Sequence, residues 1–353
     1  MEKIFSFNQN KNNTDFICYL LGIKYLLNNK KDYENFISDL KSRILMTYRH
    51  NFSNLNNNFT SDIGWGCMIR SGQMMLAEVL LRYNLGRNWR LDIEKNKNHY
   101  SLAHKDILSM FLDQPNKECY FSIHKIVHLG LQYGKKPGDW YGPETISYVI
   151  RDIVNLNDSI KISVYVSTGS IFLKEDIFNF CNKINNGALD WDSKLFLIIP
   201  LRLGLRSINN IYFKSLFKFL ELPQSVGFIG GKPRYSLYFV GYQNKDLIYL
   251  DPHNIQSTIE KSSYFPNMNE LLSYHSLKKN TININNIDPS LALGFYISDA
   301  DDFRSFNKNI EKIFNDCTPI FEIFSNKNDK KSYNEKYYDN FNLDNNDDTW
   351  EIL

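Results

Sequence analysis

Cysteine is scarce in this chain, and neither sign of charge is in clear excess. Five cysteines among 353 residues, at positions 18, 67, 119, 181 and 317, are too few and too unevenly spaced for a disulfide framework. They form no C-x-x-C pair, and the seven histidines fall in no H-E-x-x-H pattern, so neither a metal nor a cofactor is expected. Lys and Arg total 41 against 39 Asp and Glu, a formal balance of +2. A nucleic-acid partner, which calls for a clustered basic surplus, is therefore not expected. Long apolar runs are missing too: nothing approaches the roughly 18 residues needed to cross a bilayer. The first residues, Met1 to Lys11, lack the apolar core of a secretory signal. The expectation is a soluble, cytoplasmic protein whose membrane contact is peripheral.

What is present reads as an ordinary globular composition, 43% hydrophobic and 23% charged, long enough for a full core. Met75, Leu76, Val79 and Leu80 recur at helical spacing, which predicts a helix over 68–81 closing near Gly86. Ile146, Val149, Ile150 and Ile153 predict another over 145–154, opened by Pro143 and Glu144. Residues 160–166 alternate as a strand, and 194–201 form an apolar run of buried-strand length. Residues 236–241 and 247–250 flank a polar turn at Gln243 to Lys245, a hairpin signal. Asn-rich pieces at 54–58, 182–186 and 283–286 read as solvated loops. Helices dominate early and strands later, so the fold class is α+β. From about Asp329 the aliphatic residues thin out, and the chain reads as a mobile tail.

The stretch Thr60-Ser61-Asp62-Ile63-Gly64-Trp65-Gly66-Cys67-Met68-Ile69-Arg70 sets a thiol where a helix begins. The positive end of the helix dipole favours thiolate there, and first-turn N–H groups are free to meet an oxyanion. The ordinary alternative is a small buried thiol; the Gly-Trp-Gly context favours the reactive one. A thiolate nucleophile needs a base and an orienter. Leu250-Asp251-Pro252-His253 offers both, because on an extended chain Asp251 and His253 point to one face. Alone the segment reads more readily as an Asp-Pro turn with an incidental His; it points to a base only jointly with Cys67. Two more stretches stand out. Asp139-Trp140-Tyr141-Gly142-Pro143 precedes a helix. The glycine-rich 227–234 reads as a mobile loop over a cleft or as a plain interstrand turn; it has neither phosphate-loop spacing.

Taken in order, the Gly64-Trp65-Gly66-Cys67 stretch, Trp140-Tyr141-Gly142-Pro143, Ile229-Gly230-Gly231-Lys232-Pro233, Leu250-Asp251-Pro252-His253 and Pro289-Ser290-Leu291-Ala292-Leu293-Gly294-Phe295 resemble the autophagin family. These are autophagy cysteine proteases that act on a ubiquitin-like modifier. The resemblance runs from about Tyr48 to about Ile323. It implies a papain-like fold with a small auxiliary subdomain over residues 1–325, and a flexible tail over 326–353. It implies Cys67 as nucleophile, His253 as base and acid, Asp251 as orienter and Tyr48 as an oxyanion donor. Trp140, with Gly230, Gly231, Lys232 and Pro233, would gate a slot that admits glycine and excludes residues bearing Cβ. The implied partner is the modifier, in its precursor and its phosphatidylethanolamine-linked forms, met by a monomer. Two other readings stay open: a protease for a different ubiquitin-like modifier, and a weakly active adaptor. Trp350-Glu351-Ile352-Leu353, behind Asp347 and Asp348, resembles the short motif with which autophagy proteins bind that modifier, Trp350 and Leu353 filling two pockets.

Overall fold

Single strands explain the architecture, because their alternate residues enter two different cores. In the strand Tyr235–Gln243, Tyr238 and Val240 pack into one core and Leu237 and Phe239 into the other. Lys194–Arg202 does the same, with Phe196 and Ile198 on one side and Leu195, Leu197, Ile199 and Leu201 on the other. A run buried on both faces needs no polar alternation, which is why this segment reads as continuously apolar. Each such Phe, Leu or Ile contributes about 1.5–3 kcal/mol by leaving water.

The computed structural model describes residues 16–55, 59–91, 101–185, 188–191, 193–260, 266–276 and 278–330. Its main sheet runs, in spatial order, Asn280–Asn283, Asp246–Leu250, Tyr235–Gln243, Ser225–Lys232, Ser290–Ile297, Lys194–Arg202 and Ile162–Val166; Ile17–Leu20 also pairs with Tyr235–Gln243 and carries Ile23–Leu26. All these pairs are antiparallel except Ile162–Val166 with Lys194–Arg202. One face is covered by the helices Cys67–Leu85 and Pro143–Asn155, the other by Phe213–Glu221 and Ala300–Asp316. The fold class is α+β, as the sequence predicts.

The predicted helix at 68–81 extends to Leu85 and stops at Gly86, whose φ of 78° ends it. The second starts with Pro143 in its first turn. Toward the C-terminal end of the Cys67–Leu85 helix lies a buried ionic cluster. Glu78 meets Arg43 at 2.6 Å and Arg82 at 2.9 Å, and Arg82 also donates to the Ser225 carbonyl at 2.5 Å. Removing one partner from such a cluster costs about 3–5 kcal/mol, so it fixes this helix to the sheet.

A three-stranded sheet places the site. Tyr48–Leu55 pairs antiparallel with Phe59–Ser61 and parallel with Ile255–Ser257. The Tyr48 amide also donates to the Pro252 carbonyl at 2.8 Å. Residues near 48, 61 and 253 are thus held together at the start of the central helix.

Four expectations are corrected. Among the described residues the Asn-rich pieces are not plain loops: Asn54 lies in a strand, Asn182–Asn185 pairs with Ala188–Trp191, and Asn283 ends a strand before a turn that buries Ile284, while residues 56–58 and 186 lie outside the described residues. The glycine-rich 227–234 segment is mostly the strand Ser225–Lys232, and only Pro233 and Arg234 turn. Gly231, with φ of 151°, is required because a Cβ there would strike the Tyr235 carbonyl across the hairpin. Asp251 to His253 is not extended but forms a turn after the strand Asp246–Leu250. The predicted strand at 160–166 begins at Ile162.

Candidate active site

Asp62 organises the turn that delivers the thiol. Its main-chain carbonyl accepts from the Trp65 and Gly66 amides, and its carboxylate accepts from the Arg49 amide at 2.7 Å and Arg70 Nε at 2.7 Å. Arg70 reaches Asp113 at 2.9 Å with the same guanidinium, so the trio is buried and ion-paired, with Arg70 Nη2 alone of that guanidinium unbonded among the described residues. Burial pushes the Asp62 carboxyl above its ordinary value even though Arg70 pulls the other way. Cys67 is the first residue of the helix, its neighbour Gly66 offering no side-chain cap. The helix end therefore leaves its first-turn N–H groups and positive dipole at the sulfur.

Asp251 and His253 are joined twice. The His253 amide donates to Asp251 Oδ1 at 3.0 Å, and His253 Nδ1 lies 2.6 Å from the same oxygen. This is an Asx turn whose side-chain acceptor also fixes the ring, so the turn itself pairs the two residues. With Nδ1 committed, the ring interacts with Cys67 through Nε2, which is buried and makes no hydrogen bond of good geometry. Contacts of that kind commonly tighten when substrate binds.

Charge follows geometry. Burial pushes the Cys67 thiol up, but the His253 ring, the Ser236 amide and the Tyr48 hydroxyl outweigh it, and the thiol lies below its ordinary value. Burial opposes a charged imidazole, yet Asp251 and Cys67 lift His253 to about 9. Burial likewise acts against Asp251, whose bonds from His253 and Tyr235 hold it below the usual carboxylate range. The three groups favour a thiolate, an imidazolium and a carboxylate in a row. Tyr48 is buried, stands edge-on to the His253 ring at 5.3 Å, and is kept protonated chiefly by burial and then by Cys67. Its hydroxyl remains a donor beside the sulfur.

Over these groups lies a cleft of about 160 Å³ lined by Trp65, Cys67, Trp140, Gly231, Arg234 and Tyr235, among others. Trp140 Nε1 donates to the Gly64 carbonyl at 2.9 Å, and the Arg234 guanidinium sits 5.1 Å above the Trp140 ring. The two sides of the cleft therefore touch across its mouth. Gly230, Gly231 and Lys232 line it, and Pro233 occupies the adjoining turn. The structure thus brings Tyr48, Cys67, Asp251, His253, Trp140 and the 230–233 segment to one place. Trp350 and Leu353 lie outside the described residues.

Two contributors have no weight in the sequence reading. The Ser236 amide reaches the sulfur from the strand after the hairpin turn, while the Ser236 hydroxyl bonds Ser71 at 3.0 Å. A backbone donor leaves no residue-type signal. The Asp62–Arg70 pair was readable in principle: an acid and a base flanking Gly66-Cys67 by a few residues each are costly to bury unless paired.

Comparison with known proteins shows the family. The profile of the peptidase C54 catalytic domain matches residues 33–309. Cysteine protease ATG4A of Xenopus laevis is 37% identical over 325 aligned residues, covering 85% of this chain and 79% of that protein. Cysteine protease ATG4B of the same organism is 36% identical over 327, covering 86% and 82%. Cysteine protease ATG4A of Homo sapiens is 33% identical over 336, covering 88% and 82%. With its α+β, papain-like fold, the chain belongs to the peptidase C54 family of autophagy-related cysteine proteases, the autophagins.

Proposed function

We propose that the chain hydrolyses the bond after a glycine near the C-terminus of a ubiquitin-like autophagy modifier. That bond is a peptide in the precursor and the amide to phosphatidylethanolamine in the lipidated form. The observation that carries this reading is the row Cys67, His253, Asp251 at a helix N-terminus beneath the Trp140–Arg234 closure.

In this mechanism the Cys67 thiolate attacks the glycine carbonyl carbon. The resulting oxyanion meets the Tyr48 hydroxyl and the first-turn N–H groups of the Cys67–Leu85 helix. His253 gives its Nε2 proton to the departing amine, whose C–N bond breaks to leave a thioester on Cys67. Water then attacks the thioester while His253 takes one of its protons. The carboxylate product leaves, and the thiolate and imidazolium are restored. Asp251 holds the tautomer throughout. The contacts of Trp140 with Gly64 and Arg234 across the mouth of the cleft support a preference for glycine before the scissile bond, because a side chain there would have to part them. In this reading the protein acts as a cytoplasmic monomer and meets membranes through its lipidated substrate. The tail motif at Trp350 and Leu353 tethers the modifier.

The test incubates purified protein with a C-terminally extended modifier and resolves the product by mass. A modifier ending in glycine is expected, with no product from Cys67→Ala. In parallel, modifier coupled to phosphatidylethanolamine in vesicles should be released to the soluble fraction. Cleavage at another residue, or cleavage by Cys67→Ala at the wild-type rate, would overturn the proposal.

A further inference from the structure

Three consecutive residues of one hairpin touch three different parts of the site. Lys232 pairs with Tyr235 across the two-residue turn Pro233-Arg234. Proline fixes the first turn residue near −65°, and Arg234 adopts a φ of 65°, the combination of a type II turn that normally places Gly or Asn second. An arginine is strained in that conformation by about 1 kcal/mol, and its guanidinium is held on the Trp140 ring. The next residue, Tyr235, lies flat on the His253 imidazole, with centroids 3.6 Å apart and planes 4° from parallel. Its hydroxyl donates to Asp251 Oδ2 at 3.1 Å, the carboxylate oxygen that His253 does not use. The third, Ser236, presents its amide to Cys67.

The Tyr235 side chain has no core role that would explain this placement. It remains 38% exposed, and its ring neighbour is His253. The two ring contacts on the imidazole are complementary. Tyr48 stands edge-on to it, Tyr235 covers a face, and Asp251 holds one edge, leaving Nε2 as the side directed to the sulfur. A face-stacked aromatic ring favours the charged imidazolium over the neutral ring and blocks rotation about the Cβ–Cγ bond. We infer that Tyr235 is a positioning residue, which acts through His253 and Asp251 to hold the imidazolium in register with the Cys67 thiolate. Because Tyr235 follows directly on Arg234, the same hairpin links this hold to the closure of the cleft at Trp140.

The inference rests on the assignment of Cys67 and His253 as a thiolate–imidazolium pair, and its test is chosen to separate the two. Peptide-resolved mass spectrometry follows iodoacetamide alkylation of Cys67 in the purified full chain without substrate, across pH. The wild type should show two limbs, one where the thiolate forms and one where the imidazolium is lost. Tyr235→Leu removes the stack and the hydroxyl. Its window should narrow by about half a pH unit at each limb, the shift expected for losing a cation–ring contact. With a cleavable modifier, kcat should fall about tenfold while KM changes less than about twofold, as for a group that acts on the reacting pair and not on binding. Tyr235→Phe keeps the stack and should restore most of the window and rate.

A Tyr235→Leu profile that superimposes on the wild type overturns the inference. So does a Tyr235→Phe variant as narrowed as Tyr235→Leu, because the stack would then have no role. A wild-type profile with a single limb near the ordinary thiol range would instead refute the thiolate–imidazolium pair, and the inference with it.

Discussion

Asp62 and Gly66 compete for one volume: the Asp62 carboxylate fills the place where a Cβ on residue 66 would stand. The turn that delivers Cys67 is thus shaped by a buried acid that Arg70 and Arg49 hold from behind. Gly66→Ala should destabilise the protein by about 1–3 kcal/mol, the usual cost of overpacking, and lower turnover by displacing the thiol. Urea denaturation and a parallel rate measurement check both. A stable, fully active Gly66→Ala would contradict the packing.

The ion pair predicts a pH window. His253 binds its proton more tightly in the folded chain, at about 9, than the 6.5 of a free imidazole. Its contribution to stability is therefore complete below about pH 6.5 and is lost as the pH rises through about 9. Activity should fall over the same alkaline range, because the leaving amine then finds no proton on Nε2. Rate profiles, and melting temperatures of wild type and His253→Ala between pH 7 and 10, test this. His253→Ala should lose the alkaline slope.

A pair of buried histidines predicts the acid side. His104 and His275 are buried with ring centroids 5.2 Å apart, and neither Nε2 has a hydrogen-bond partner among the described residues. Burial first pushes both down, His104 to about 3 with help from His275 and Arg43, and His275 to about 4 even though its bond to the Arg43 carbonyl pulls the other way. Unfolded rings take protons from about pH 6.5 downward, which the folded rings refuse until those lower values, so stability falls through that interval as acid is added. The urea midpoint at pH 5 should lie below that at pH 7. His104→Phe should shrink the difference.

How these sites were read from the sequence varies with the physics. The Cys67 helix was readable because apolar spacing and the closing Gly86 are local signals. Asp251 and His253 were readable as a pair, but their link is an Asx turn and not strand geometry. The glycines of 227–231 were misread as a loop. Their reason is the approach of a neighbouring strand, which a linear pattern does not show. Tyr235 carried no signal at all, since an aromatic after Pro-Arg is usual at a hairpin and its partner lies in another strand's turn.

The narrow mouth predicts specificity. Replacing the modifier's glycine before the scissile bond by Val should reduce kcat/KM by about a hundredfold or more, since branched atoms would have to displace the Trp140–Arg234 contact that closes the cleft. Trp140→Ala should recover part of the loss. Equal cleavage of the Gly and Val substrates by the wild type would sink the steric argument.

The tail predicts affinity. Deleting Trp350 to Leu353 in a Cys67→Ala background should weaken binding of the modifier by about tenfold or more, as expected when an aromatic anchor is removed. Isothermal calorimetry gives the dissociation constant. An unchanged value would end the proposal for the motif.

The parallel pairing of Tyr48–His50 with Ile255–Ser257 has a consequence for folding. Cys67 and Tyr48 precede His253, and the strand that anchors it, by most of the main sheet in chain order. Closing so long a loop is slow and unfavourable until the intervening sheet is in place. On the proposed mechanism, a chain in which this pairing has not formed carries the Cys67 thiol without its base, so completion of the fold is also what completes the site.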